Sequence, residues 1–437
     1  MEHDQQNRPS LTEDYATQPV PLHATYNGWR IGFVLGGIGV ALPGLLSGAE
    51  IGRALGYVGS MQAFFVASVL VSVLAIMTGL VGMQSRLSTY MILKFSFGPV
   101  GAKLVNASFA LAQFGWFGVN AWYFGEAAAA TGSQVLGIDL PISFYIVLGS
   151  ILMTLATIFG FKALDKIAIF VFPVMITTLA LMVARTFELA PLSDLIAARA
   201  EGGMSFSQAV TALAGGIIVG VLLVPDLTRY ARTRLDVGIA IFIALVVIEP
   251  LVRLAASGAA ISLQNNEPLA ILLALRFGAY AFVFLIFTAV TTNAINLYGS
   301  GLAMASIFAR TKEWKFIIVA GIVGMFIALS GVQNHFIDFL IWQSILFSSV
   351  LGVYVVDFYL VRKGKYSLDQ LDDMSAWSWR AFLAWGLGAA IAAVTSKTTL
   401  VLTGMPNLDG VLVAGICYAL LMGSFGRARG GNHADRH

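Results

Sequence analysis

The sequence predicts an all-α polytopic membrane protein with about twelve transmembrane helices. Three observations carry that prediction. Of 437 residues, 58% are hydrophobic and 11% charged, with a mean hydropathy of +0.82. A soluble domain carries about 25% charged residues. Apolar runs of about 20 residues, the length that crosses a bilayer, recur along the whole chain. Lysine and arginine gather in every second connection between those runs, which gives an even number of spans with both ends cytoplasmic.

In chain order, hydropathy places spans near 28–50, 57–83, 100–128, 139–161, 166–187, 207–230, 236–262, 277–308, 315–332, 336–361, 379–396 and 406–424. The inner connections then hold Arg86 and Lys94, Lys162 and Lys166, Arg229, Arg232 and Arg234, Arg310, Lys312 and Lys315, and Arg362, Lys363 and Lys365. The outer ones keep Arg53, Arg185, Arg199 and Lys397. Residues 1–27 are polar, with Glu2, Asp4, Glu13 and Asp14, and lack the basic start and short apolar run of a cleaved signal. They read as a cytoplasmic tail, as do residues 425–437.

Several function classes are disfavoured. A formal charge of +3 is too small to imply nucleic acid, and one cysteine, Cys417, allows no disulfide within the chain. The five histidines do not cluster, and no zinc or iron–sulfur spacing occurs. An intramembrane enzyme would need a nucleophile–base pair or metal ligands at depth, and a channel a pore-lining filter repeat. Neither is evident, so no enzyme, no cofactor and no nucleic-acid partner are expected.

Two spans carry helix-breaking residues. The first has Pro43-Gly44 inside G-G-I-G-V-A-L-P-G-L-L-S-G; the sixth has Gly215, Gly216 and Gly220. Interruptions at matching places in two halves point to inverted repeats with a binding site at the midplane. Both spans are therefore expected to unwind. The competing reading is that the glycines let helices pack closely.

Polar groups at membrane depth are site candidates by default. The third span presents Gln113 and Trp116 on one face, with Gly115 and Gly118 clearing space beside the indole. A stacking face plus a carboxamide suits a flat polar heterocycle, although membrane tryptophans also mark interface belts. The eighth span reads T-A-V-T-T-N-A-I-N from Thr288 to Asn296. Its threonines, Thr288, Thr291 and Thr292, offer oxygens to a hard cation, while Asn293 and Asn296 offer amides to a solute. Threonines of this kind also bond back to their own helix. Glu249 and Arg253 in the seventh span can pair along the helix; the alternative is a proton-coupling carboxylate.

Lys94-Phe95-Ser96-Phe97-Gly98, Gln113 to Gly118, Pro225 to Arg232, Thr291-Thr292-Asn293 and Asp357-Phe358-Tyr359 resemble, in order and spacing, nucleobase:cation symporter family 1. Within it the chain looks like the bacterial cytosine permeases. The resemblance runs from about residue 28 to 365. It implies a leucine-transporter-like fold of two inverted five-helix repeats, 28–190 and 207–365, with two additional helices within 379–424. It also implies a multi-pass protein of the cell membrane, monomeric in the lipid bilayer. Its expected work is uptake of a nucleobase-like heterocycle, cytosine first, with Na+ or alternatively H+ as the coupling ion, through alternating access.

The resemblance further implies roles for residues. Trp116 would stack on the ring, Gln113 and Asn293 would bond it, and backbone at Gly216 and Ile217 would line the opposite wall; Asn296 joins them as a substrate-binding candidate from the polar run itself. The carbonyls of Gly37, Val40 and Thr288, with the hydroxyls of Thr291 and Thr292, would hold the cation. Two positions depart from the cytosine-permease pattern: aliphatic Ile217 stands where an aromatic is expected, and Ala294 replaces an acidic residue. Another purine or pyrimidine, a hydantoin or allantoin, a vitamin precursor, or an amino acid or amine therefore remain alternative substrates.

Overall fold

A computed structural model describes residues 18–39, 42–133, 137–308, 311, 313–398 and 402–431. The chain is helical nearly throughout. It begins with α1 (Gly28–Gly39) and α2 (Leu42–Ser85). The regular backbone of α2 breaks at Gly56, where φ is 72° and ψ 171°. A side chain there would be strained, so glycine is what permits the chain to turn between crossings. Residues 42–55 thus complete the first crossing with α1, and residues 57–85 make the second.

The short α3 (Thr89–Phe97) leads to α4 (Gly101–Thr131) and then to α5 (Ile142–Leu189), a helix of 48 residues. At about 1.5 Å per residue it is more than twice as long as a bilayer core of about 30 Å. Its two ends pack at the same end of the bundle. Ile146 lies against Gly125 near the end of α4, and Arg185 donates to the carbonyl of Leu275, beyond the seventh crossing. Glu126 of α4 faces Glu267, which brings those two neighbourhoods together. Residues 142–158 and 174–189 therefore cross in opposite directions, and serve as the fourth and fifth spans.

After α6 (Leu192–Ala197) comes α7 (Phe206–Thr228), started by a capping box in which Ser205 and Gln208 satisfy each other's backbone N–H groups. The seventh crossing is α8 (Arg234–Ile241), a π-helical stretch at Phe242–Ile248, and α9 (Glu249–Leu263). The short α10 (Pro268–Ala274) precedes α11 (Ala279–Ile307), α12 (Glu313–Leu329) and α13 (Phe336–Val356), which runs on as a π-helical turn to Val361. Helices α14 (Trp379–Lys397) and α15 (Pro406–Gly431) close the chain. A short, largely buried helix follows the second crossing of each half, α3 in one and α10 in the other, in keeping with an inverted pair of five-helix repeats. The fold is the leucine-transporter-like one, with two added helices.

Pro43 and Gly44 lie in α2, and residues 40 and 41 just before them fall outside the described residues, so the expected unwinding of the first span falls there too. The expectation for the sixth span is corrected. In the sixth crossing, α7 is continuous helix through Gly215, Gly216 and Gly220. The physical reason is close packing. Gly215 lies directly against the backbone carbonyl of Leu340 on α13, and a Cβ there would collide with it. Gly215→Ala is therefore expected to cost about 1–3 kcal/mol through overpacking, read as a lower melting temperature of the detergent-solubilised protein. An unchanged melting temperature would mean that α7 and α13 can part freely.

Sidedness is coherent within the fold. Connections expected on one side bond to one another: Val20 N–H to the Arg86 carbonyl at 3.1 Å, Tyr26 N–H to the Tyr230 carbonyl at 2.7 Å, and Arg362 to the Phe95 carbonyl at 3.4 Å. At the other end, Arg53 pairs with Glu201 at 2.7 Å and donates to Asn266 at 3.1 Å.

Candidate functional site

The third crossing supplies the aromatic platform. Gln113, Trp116 and Asn120 lie along one face of α4, at helical offsets of three and four. Trp116 is half-buried, and its indole N–H donates to Gln343 Oε1 on α13 at 3.0 Å. Two rings of the chain segment that opens α13 stand nearly perpendicular to it: Phe336 at 6.0 Å and 76°, and Phe339 at 5.4 Å and 71°. One hydrogen bond and two crossed rings fix the plane of the indole. Gly115 makes room for Phe339, whose ring a Cβ would strike, so the glycine beside the tryptophan serves the platform's own support. Gln113 reaches toward α11, its amide nitrogen beside Gly299.

The eighth crossing, α11, packs along α4 and holds the polar cluster. Thr288 is buried and donates to the Leu285 carbonyl at 3.0 Å; Thr291 donates to the carbonyls of Phe287 at 2.9 Å and Thr288 at 3.1 Å. These are bonds back to the same helix. They consume hydroxyl hydrogens and leave oxygen lone pairs, which is the side of a hydroxyl that a cation uses. Thr292 is half-buried on the same helix. Of the carbonyls expected to share the cation site, Gly37 lies in α1, which packs against α8 and the π-helical stretch after it, while Val40 falls outside the described residues.

Asn293 is wholly buried, and its amide nitrogen donates to the Phe117 carbonyl at 3.2 Å and to the Met153 sulfur at 3.3 Å. Its oxygen accepts from Asn296 at 3.3 Å. Asn293 thereby ties α11 to α4 directly behind Trp116, and any bond to a solute has to exchange with these partners. A Cβ at Gly216 would meet the Leu340 methyls at ordinary contact distance, and Ile217 is half-buried beside the cluster that joins α7 to α13. The structure thus brings Gln113, Trp116, Asn293 and Asn296 together on α4 and α11.

Outside that group, Glu249 and Arg253 are both buried and form an ion pair along the seventh crossing. Arg253 also reaches Ser47 of α2 at 3.4 Å. Asp226, at the end of α7, accepts the backbone N–H of Thr89 at 2.8 Å and so caps α3 from another helix. Asp357 is fully buried and accepts from Tyr366 at 2.8 Å, Tyr418 at 2.9 Å and Ser96 at 3.3 Å. These contacts hold α3, α13 and α15 together, a structural role for the Asp357-Phe358-Tyr359 motif. Among the described residues no group of three His, Cys, Asp or Glu could hold a metal ion.

Residues 36–414 match the family of permeases for cytosine/purines, uracil, thiamine and allantoin. The chain belongs to that family. It is a multi-pass membrane permease and not an enzyme. It is 25% identical over 414 residues to the cytosine permease of Escherichia coli (strain K12), covering 94% of this chain and 95% of that one. It is 23% identical to the hydantoin permease of Microbacterium maritypicum, over 75% of this chain and 71% of the relative. Its fold matches, with a TM-score of 0.82, a nucleobase-cation-symport-1 family transporter in a closed conformation with bromovinylhydantoin bound. That match covers 96% of this chain and 97% of the other at 16% sequence identity.

Two neighbours of Trp116 are not among the sequence-derived site candidates, although Asn120 stands out in the sequence as a polar residue of the third span. Gln343 is the partner of Trp116, and it lies in F-L-I-W-Q-S-I-L-F-S-S, a tenth crossing with its own mid-span polar run. That run was a legible signal that the reading did not use. Asn120, fully buried one turn after Trp116, donates to the Trp116 carbonyl at 2.9 Å and leaves its own oxygen without a partner.

Proposed function

We propose that this permease imports a nucleobase-like heterocycle, cytosine first, by symport with Na+ through alternating access. The observation that carries the reading is the Trp116 indole, half-buried at membrane depth, its plane fixed by Gln343, Phe336 and Phe339. A rigid aromatic face with amides around it binds flat polar rings by stacking and edge hydrogen bonds. Gln113, Asn293 and Asn296 supply the amides, and Gly216 with Ile217 closes the wall opposite. The names of the cytosine and hydantoin permeases support the same substrate class.

The cation sits between α1 and α11, held by the carbonyls of Gly37, Val40 and Thr288 and the hydroxyls of Thr291 and Thr292. The back-bonded threonine hydroxyls support this placement, since their lone pairs remain available. Ion and solute share a coupling free energy, so each tightens the other by the same factor. Both termini lie on the cytoplasmic side of the cell membrane, as the distribution of basic residues supports, and the protein works as a monomer.

The test is uptake of labelled cytosine into proteoliposomes with and without an inward Na+ gradient, with uracil, adenine, hypoxanthine, allantoin and hydantoin as competitors. Sodium-driven uptake blocked by cytosine analogues is expected. Uptake driven equally by a proton gradient alone would replace the ion. Thr292→Ala is expected to flatten the Na+ dependence of solute affinity while leaving affinity without Na+ unchanged. Preserved Na+ dependence in that variant would remove Thr292 from the cation site.

A further inference from the structure

Gln343 sits on the stripe of α13 that faces Trp116: Phe336, Phe339 and Gln343 are spaced by three and four residues, and all three contact the indole. The indole N–H can only donate, so the amide oxygen of Gln343 must be the atom turned toward it. That assignment commits the amide nitrogen to point elsewhere. Gln343 is 4% exposed, and its Nε2 is buried with no hydrogen-bond partner. Both of its N–H groups are therefore unsatisfied, one amide width from the edge of the proposed stacking platform. A buried donor left unpaired is disfavoured unless something fills it.

We propose that Gln343 is a substrate-binding residue whose Nε2 donates a hydrogen bond to a ring carbonyl of the transported heterocycle. This rests on the reading of Trp116 as the stacking platform and deepens it. One side chain then does two things. Its oxygen sets the plane of the indole, and its nitrogen selects, among flat rings stacked there, those with a carbonyl at the edge. Cytosine, uracil and hydantoin meet that requirement, and 4-aminopyrimidine, which is cytosine without its carbonyl, does not.

The test measures binding of cytosine and 4-aminopyrimidine, and of hydantoin and 2-imidazolidinone as a second pair, to the full chain in nanodiscs. Wild type is expected to prefer the member with the additional carbonyl in at least one pair by on the order of tenfold. Gln343→Glu keeps an acceptor for the indole and removes the amide donor; Gln343→Met removes both. Both are expected to bring the ratio toward one, the carbonyl-bearing member losing more; Gln343→Met, which also frees the indole, is expected to lower affinity for both members as well. An equal fall for both members would assign Gln343 to positioning Trp116 alone and overturn the proposal. An unchanged ratio in Gln343→Met would overturn it as well. If either variant fails to fold, the other and the wild-type ratio still decide. Wild-type binding without any preference refutes the donor role, and wild-type binding of none of the four rings overturns the heterocycle reading together with it.

Discussion

Trp116→Ala is expected to lower solute affinity by about five- to a hundredfold, and to lower uptake most at substrate concentrations near half-saturation of wild type. Stacking of a base on an aromatic ring contributes about 1–3 kcal/mol, and each 1.4 kcal/mol or so is a factor of about ten. The variant also removes the donor to Gln343, whose amide then lacks partners on both atoms, so the effect should fall toward the upper end. Trp116→Phe separates the contributions. It keeps a stacking face between Phe336 and Phe339 but cannot donate to Gln343, and it is expected to recover part of the affinity. Equilibrium binding to purified protein and labelled uptake by proteoliposomes are the measurements. Wild-type affinity in Trp116→Ala would mean that the indole is a packing element between α4 and α13 and that the solute binds elsewhere.

Arg253→Met is expected to destabilise the protein by about 3–5 kcal/mol, because it leaves the Glu249 carboxylate buried without its counter-charge. The double variant Glu249→Leu with Arg253→Met is expected to melt close to wild type, since replacing a whole buried pair by apolar groups is often neutral or stabilising. Thermal melting in detergent reads the stability. Uptake by the same variants decides between the two readings of the pair. If the pair is structural, joining α9 to α2 through Ser47, the double variant transports. If Glu249 carries a coupled proton, the double variant folds but no longer responds to the driving gradient.

Much of the fold was legible because lipid imposes long apolar runs and sorts basic residues to one side, both of which are written residue by residue. The two-repeat organisation was expected from breaker residues in the first and sixth crossings, but in the sixth the glycines do not break the helix: Gly215 admits the carbonyl of Leu340, because α13 lies alongside. The sequence separates spans near 139–161 and 166–187, and the packing of Ile146 and Arg185 at one end of the bundle agrees with two crossings within the single long helix α5.

The site divides in the same way. By itself the sequence determined that Gln113, Trp116 and the run from Thr288 to Asn296 are polar groups set where hydrocarbon demands partners, because residue type and helical period suffice for that. Only the tertiary structure decided who those partners are. Gln343 lies 227 positions from Trp116 and Phe117 lies 176 positions from Asn293, and no local pattern relates them. A hydrogen bond is short and directional, so a donor's fate is settled by the helix that packs against it.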